Sequence, residues 1–174
     1  MIRTGLALAL WLTAGPALAT DLPALITERL GVMKDVAAWK RMNDKPVEDL
    51  PREAVVLDNA TAKAAQEGLD PATVRPFFRA QIDAAKGIQT CWIDRWDAGS
   101  DRPPGDAPDL MTDIRPRLIE LGDAILARIK STLAEGGSLA EPSATLSSAD
   151  DIDCLDPTER EAVAQALSGV ETAP

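Results

Sequence analysis

Apolar side chains recur at helical spacing through most of the chain. From Leu22 to Asn43 they occupy positions 22, 25, 26, 30, 33, 36 and 37, which is the spacing of one helix face. Pro23 is tolerated in the first turn of such a helix, and Lys45-Pro46 ends it. The pattern predicts a first helix over about 22–43.

Capping residues and helix breakers define the next two helices. Asp49 can cap the start of a second helix over about 50–67, and Gly68 can cap its end. Asp70-Pro71, a cap followed by an N1 proline, opens a third helix that runs to about Trp96. Pro76 predicts an early kink in this third helix.

The second half of the chain alternates between loops and helices. A fourth helix is predicted over about 109–133, with Leu118 and Leu121 among the apolar residues on one side. A short fifth helix over about 156–167 begins with a capping-box pattern, while 97–108 and 135–148 are predicted to be loops. No segment has a sustained period of two, so the sequence predicts an all-α bundle of about five helices.

The first nineteen residues have the features of a signal peptide. Arg3 is their only charged residue, 5–15 form an apolar run, and Ala17-Leu18-Ala19 has the small-x-small form of a cleavage site. A membrane anchor would need roughly 20 apolar residues, so this run is too short. We expect cleavage after Ala19, one domain over 20–174 and a periplasmic or secreted protein.

Composition and charge exclude several kinds of chemistry. The chain has no histidine and two cysteines, so His-dependent nucleophiles, His-ligated zinc and Cys₄ metal sites are excluded. Its 28 acidic and 18 basic side chains give a net charge of −10. Such a surface repels phosphate backbones and anionic lipid, so we expect no nucleic-acid partner, and no membrane partner once the signal peptide is removed.

Export changes how the two cysteines are interpreted. In an oxidising compartment Cys91 and Cys154 are most simply paired, joining the end of the third helix to the C-terminal region. The alternative is a reactive thiol, which would need a nearby basic group. Neither cysteine has a basic cluster beside it in sequence, so a disulfide is favoured.

Several polar residues lie where apolar ones are expected. Arg29 and Lys40 share a face of the first helix with apolar residues, and Arg52 lies in the first turn of the second, where the helix dipole disfavours a cation. These cations could snorkel or pair with nearby carboxylates, or they could face an anion. Gln89 could be a satisfied core amide or could donate to a ligand.

The spacing of these residues resembles that of the all-helical chorismate mutases, and the signal peptide suggests their secreted subclass. The pattern is Arg29…Lys40…Pro46-Val47-Glu48-Asp49…Arg52-Glu53…Gln89. Arg29 precedes Lys40 by eleven residues, and Lys40 precedes Arg52 by twelve. The segments ERLGVMKDVAAWK and LDPATVRPFFRAQIDAAKGIQ are similar to the first and third helices of that family.

The resemblance implies rearrangement of chorismate to prephenate, a unimolecular reaction that needs no cofactor and no metal. It assigns Arg29 and Arg52 to the substrate carboxylates. Lys40 and Gln89 would donate to the ether oxygen, where negative charge develops as the C–O bond breaks. Ala85 stands where relatives often carry a hydroxyl, so one carboxylate contact is absent or replaced.

Two further parts of the site follow from the same resemblance. Asp49 and Glu53 match positions that contact the substrate hydroxyl and orient the site. Secreted members also use an arginine from the fourth helix, but a direct count leads to Ala124. Arg117 and Arg128 share the helical face of Ala124 and are the expected substitutes.

Other functions fit parts of the same pattern. An isochorismate-pyruvate lyase would share the fold and the cationic pocket. A non-catalytic periplasmic module that binds a small acid would need no fourth-helix arginine, and a purely structural helical protein would need none of the spacings. The resemblance implies a site within one chain and leaves a homodimer open.

Overall fold

The computed structural model describes residues 21–148 and 152–174, so the predicted signal peptide at 1–19 lies outside the described residues. Within these ranges there is no β-strand, and Leu69 and Thr172 form an isolated antiparallel bridge. The all-α prediction is confirmed. The helices are α1 (Leu22–Gly31), α2 (Met33–Met42), α3 (Leu50–Glu67), α4 (Pro71–Asp97), α5 (Arg115–Ala134), α6 (Ala140–Ser148) and α7 (Pro157–Ser168), with a π-helical turn (Leu110–Ile114) directly before α5.

The predicted first helix is divided into two. α1 ends at Gly31, a residue of low helix propensity, and α2 begins at Met33. Val32 between them keeps right-handed helical dihedral angles, with φ −60° and ψ −17°. The break is therefore small, and α2 still ends at Met42, close to the predicted boundary.

The caps of α3 and α4 are those predicted. The Asp49 carboxylate accepts a hydrogen bond from the backbone N–H of Arg52 at 3.1 Å, and Gly68 ends α3 with φ +76°. Asp70 caps α4 in the same way, through the N–H of Ala72 at 2.8 Å. Pro76 lies inside α4, which continues past it to Asp97.

The predicted loop over 135–148 is wrong, because α6 occupies most of it. Leu139, Ser143 and Leu146 are buried at a spacing of four and three residues. The Ser143 hydroxyl donates to the carbonyl of Leu139 at 2.6 Å, so its polar group is satisfied within the helix. Packing of this face against α1 and α7 overrides the weak helix propensity of a small, polar sequence.

α4 is the central helix of the bundle. It packs against α1, α2, α3 and α7, while α5 packs against α1 and α3. Its buried face includes Phe77, Ile88 and Trp92. Among the described helices, none is long and apolar enough to span a bilayer.

The predicted disulfide is confirmed. Cys91 of α4 is bonded to Cys154, with a Cα–Cα distance of 5.7 Å. Cys154 precedes α7 and has a left-handed backbone conformation, with φ +68°. The bond therefore fastens the C-terminal helix to the central helix of the bundle.

Removing this disulfide is expected to destabilise the protein. The two cysteines are 63 residues apart, and a loop of that length predicts a loss of about 4 kcal/mol in the free energy of unfolding. Denaturant titration of the Cys91→Ala/Cys154→Ala double variant measures this loss. An unchanged midpoint, or two reactive thiols in the unfolded and unreduced wild type, would contradict the prediction.

Candidate active site

A cavity of about 190 Å³ lies between α1, α2, α3, α4 and α5. Its apolar lining residues include Val36, Phe78 and Leu126. In a chain of net charge −10, basic side chains outnumber acidic ones at this cavity by five to three. Those that line it are Arg29, Lys40, Arg52, Lys86 and Arg115.

Arg29 is a buried cation without a carboxylate partner among the described residues. It lies at the C-terminal end of α1, and 6% of its surface is exposed. Its Nη1 donates to Gln81 Oε1 at 3.4 Å, its guanidinium lies 5.7 Å from the centre of the Phe78 ring, and its Nε is unpartnered. Burial lowers the pKa of Arg29 to about 10. An anion entering the cavity would supply the missing counter-charge.

Lys40 is held at the other end of the same helical face, in α2. Its Nζ donates to the carbonyl of Val47 at 2.6 Å, which leaves two of its three N–H donors for other acceptors. Burial lowers the pKa of Lys40, Asp49 opposes that shift, and Arg115 adds to it. The ammonium is thus partly desolvated and close to another cation, a setting in which a ligand's negative charge is strongly favoured.

Arg52 projects from the first turn of α3 into the cavity. Burial lowers its pKa first, the positive charge of Arg115 lowers it further, and Asp49 raises it. Within the described chain no carboxylate forms an ion pair with its guanidinium. Of the two interpretations that the sequence left open for Arg52, the geometry favours a cation that faces an anion.

Glu53 does not pair with Arg52, because cations of α4 take up its charge. Its Oε2 lies 2.8 Å from Arg79 Nη1 and 3.5 Å from Lys86 Nζ, and Oε1 is buried without a partner. Asp49 Oδ2 lies 3.9 Å from Arg115 Nη2. Over residues 21–148 and 152–174, no group of three or more acidic or cysteine side chains could hold a metal ion.

Gln89 lies in α4 with its amide buried beside the cavity. Its Nε2 donates to the carbonyl of Ala85 at 2.9 Å and to the sulfur of Met33 at 3.5 Å, and its Oε1 has no partner. A thioether is a weak acceptor, so the N–H that faces Met33 would exchange it for a ligand oxygen. This amide is therefore a donor poised at the cavity wall.

The predicted fourth helix corresponds to α5 of the structure. The arginine of α5 that lines the cavity is Arg115, and not Arg117 or Arg128. Arg117 is half-exposed and pairs with Glu28 and Glu120. Neither Arg117 nor Arg128 is among the residues that line the cavity. The structure therefore does not bring Arg117 or Arg128 to the cavity, as was expected, and places Arg115, the first residue of α5, there instead.

Arg115 was missed because the expected position was found by counting along the chain. It lies nine residues before Ala124, which is two and a half helical turns, so the two residues are on opposite faces of α5. Residues chosen for sharing a face with Ala124 could not include it. The available signal was its spacing of three from Leu118 and seven from Gly122, both of which line the cavity.

Comparison with known proteins identifies the family. A family model described as chorismate mutase type II matches residues 18–90. A monofunctional chorismate mutase of Enterobacter agglomerans is 37% identical over 118 residues, which are 67% of this chain and 63% of that protein. A secreted chorismate mutase of Yersinia pestis is 41% identical over 109 residues, which are 63% of this chain and 58% of that protein. The matches thus span about three-fifths of these two relatives.

A solved structure matches over a longer span. The crystal structure of the secreted chorismate mutase from Yersinia pestis has a TM-score of 0.75 and 33% identity, and it covers 88% of this chain and 99% of that one. The fold and the site define an all-helical protein with a cavity lined by basic side chains. The chain belongs to the chorismate mutase family.

Proposed function

We propose that this protein catalyses the rearrangement of chorismate to prephenate in the cavity lined by Arg29, Lys40, Arg52 and Arg115. The observation that carries the proposal is the buried guanidinium of Arg29, which lacks a carboxylate partner in the described chain and faces the cavity. Chorismate carries two carboxylates, so a cluster of cations in an apolar enclosure suits it. Catalysis then consists of holding the reactive conformer and stabilising the charge that develops.

The three arginines are assigned to the substrate carboxylates. Arg29 lies in α1, Arg52 begins α3, and Arg115 begins α5, so the three approach the cavity from separate helices. Each guanidinium offers paired N–H donors that match a carboxylate. Arg115 supplies the carboxylate contact that the family resemblance implies for the predicted fourth helix, which is α5. The π-helical turn directly before Arg115 fixes its backbone.

Lys40 and Gln89 are assigned to the ether oxygen of chorismate. Negative charge grows on that oxygen as its bond to carbon breaks, so donors aimed at it bind the transition state more tightly than the substrate. Lys40 supplies charge as well as a hydrogen bond, and Gln89 supplies a neutral N–H. No proton has to be transferred, which is compatible with a chain that contains no histidine.

Asp49 and Glu53 are assigned to the substrate hydroxyl and to the order of the site. Glu53 Oε1 is a buried acceptor without a partner, while its Oε2 is fixed by Arg79 and Lys86. A ligand hydroxyl that donates to Oε1 would satisfy this atom. Asp49 holds the first turn of α3 through the N–H of Arg52.

We also propose that the protein acts outside the cytoplasm. The apolar run of 5–15 and the Ala17-Leu18-Ala19 motif support export with cleavage after Ala19, leaving one domain over 20–174. Three of the similar proteins are named secreted chorismate mutases. The Cys91–Cys154 disulfide is typical of an oxidising compartment.

Product analysis of the purified protein tests the proposed activity. We expect chorismate to be converted to prephenate, and isochorismate to yield no pyruvate. Pyruvate from isochorismate would identify the lyase, although none of the similar proteins described above is named a lyase. Saturable binding of chorismate without any product would identify a non-catalytic binding module.

Replacing Gln89 by glutamate is expected to make the activity depend on pH. A neutral amide donates at every pH, whereas a carboxyl group donates only when it is protonated. Activity of Gln89→Glu, relative to that of the wild type at the same pH, should therefore fall as pH rises through the pKa of the new carboxyl and recover in acid. Steady-state rates between pH 4 and 8 measure this, and parallel profiles for the two proteins would contradict it.

A further inference from the structure

Gln81 is the neighbour of Arg29 outside the cavity. It lies in α4 and is completely buried. Its Oε1 accepts the hydrogen bond from Arg29 Nη1 at 3.4 Å, and its Nε2 has no partner. Because a guanidinium only donates, the amide has to present its oxygen to Arg29, which leaves the Nε2 donor unsatisfied in the core. A buried amide with one orphaned end is costly and calls for an explanation.

The neutrality of Gln81 supplies that explanation. A carboxylate at this position would pair with the Arg29 guanidinium and compete with any anion in the cavity. Elsewhere in the same bundle a buried carboxylate does pair with a cation of α4, since Glu53 Oε2 lies 2.8 Å from Arg79. An amide oxygen orients the guanidinium while leaving its charge uncompensated.

We propose that Gln81 is a positioning residue that holds Arg29 toward the cavity without neutralising it, and so sets the affinity of the site for a substrate carboxylate. The inference rests on the proposed mutase function. It assigns a role to a residue that does not line the cavity and that acts only through Arg29. Because a carboxylate contact is made in both the ground state and the transition state, its loss is expected chiefly in KM.

Two variants of Gln81 and a matched control test this inference. Gln81→Glu should raise KM for chorismate by roughly tenfold or more, with a smaller change in kcat, because Arg29 gains an internal counter-charge. Gln81→Met keeps the volume and removes the acceptor, so it should raise KM by about threefold. Gln66→Glu adds the same charge at an exposed position of α3 and should leave both constants unchanged.

The unfolding temperature distinguishes the proposed role of Gln81 from a purely structural one, because the two roles predict opposite changes in Gln81→Glu. Gln81→Glu should unfold at a higher temperature than Gln66→Glu, because a buried guanidinium gains a carboxylate partner. A damaged core would instead lower both the unfolding temperature and kcat. A Gln81→Glu protein that failed to fold would therefore overturn the inference.

The remaining outcomes separate this inference from the proposed function. Equal KM values for Gln81→Glu and Gln66→Glu would overturn the role of Gln81 and leave the mutase proposal standing. If the wild type converted no chorismate, the mutase proposal would fail, and equilibrium binding of chorismate to Gln81→Glu and Gln66→Glu would decide the inference. Weaker binding to Gln81→Glu than to Gln66→Glu would then support it, and equal binding, or no binding to either protein, would overturn it.

Discussion

Replacing Lys40 by alanine is expected to lower kcat/KM for chorismate by roughly 10²–10³-fold, the cost of removing one preorganised donor from a developing oxyanion. Lys40 is partly desolvated and already fixed by the carbonyl of Val47, so its ammonium does not have to reorganise during the reaction. The loss should fall mainly on kcat, because the charge on the ether oxygen exists only in the transition state. Steady-state kinetics on both proteins measures the change.

Lys45→Ala is the matched control for this prediction. It removes the same charge five residues later, from an exposed side chain that does not line the cavity. We expect its kinetic constants to stay within about twofold of the wild type, since screened surface charges act weakly at this range. Equal losses in the two variants would mean that net charge, and not the position of Lys40, supports activity.

Replacing Arg115 by alanine is expected to lower kcat/KM by roughly 10- to 100-fold, the value of a charge-assisted hydrogen bond to a carboxylate. The effect should appear first in KM, because the carboxylate contact is made before the reaction begins. Arg115 also lies 3.9 Å from Asp49, so a smaller part of the loss would come from the freed carboxylate. Initial rates over a range of chorismate concentrations separate the two constants.

Arg117→Ala tests the position of this arginine within α5. Arg117 lies two residues further along the helix, outside the cavity lining, and pairs with Glu28 and Glu120. Its replacement should leave kcat/KM within about twofold of the wild type, because the pairs that it forms are exposed and weak. A large loss in Arg117→Ala together with an unchanged Arg115→Ala would restore the original expectation from the sequence.

The fold was largely predictable because its helix ends are marked by local chemistry. Asp49, Gly68 and Asp70 cap the helices that they were expected to cap, since a side-chain oxygen or a positive φ acts within one turn. α6 was missed because its sequence has few apolar residues. What makes it helical is the burial of Leu139 and Leu146 against other helices, which local pattern does not reveal.

The site was predictable where its residues lie at fixed spacings on helical faces. Arg29, Lys40, Arg52 and Gln89 all line one cavity, as the family resemblance implied. Contacts between helices were not predictable in this way. The pairing of Glu53 with cations of α4 and the contact of Arg29 with Gln81 join residues 26 to 52 positions apart, and only the packing of the bundle brings them together.

The charge of the protein acts differently at long range and at short range. A net charge of −10 repels a dianion, but salt screens that repulsion beyond about 8 Å at physiological ionic strength. Within the cavity the cations are partly desolvated, so their attraction is screened much less. On the proposed function, affinity for chorismate depends on the local arrangement of Arg29, Lys40, Arg52 and Arg115, whereas the acidic surface slows the approach of the dianion.

The most direct test of this account is the initial rate at which the purified wild-type protein consumes chorismate, followed by its loss of absorbance together with quantification of prephenate. The account predicts a saturable rate far above the uncatalysed reaction, one prephenate formed for each chorismate lost, and no dependence on added metal or cofactor. A rate equal to the uncatalysed background, for a protein that is folded by circular dichroism, would contradict it.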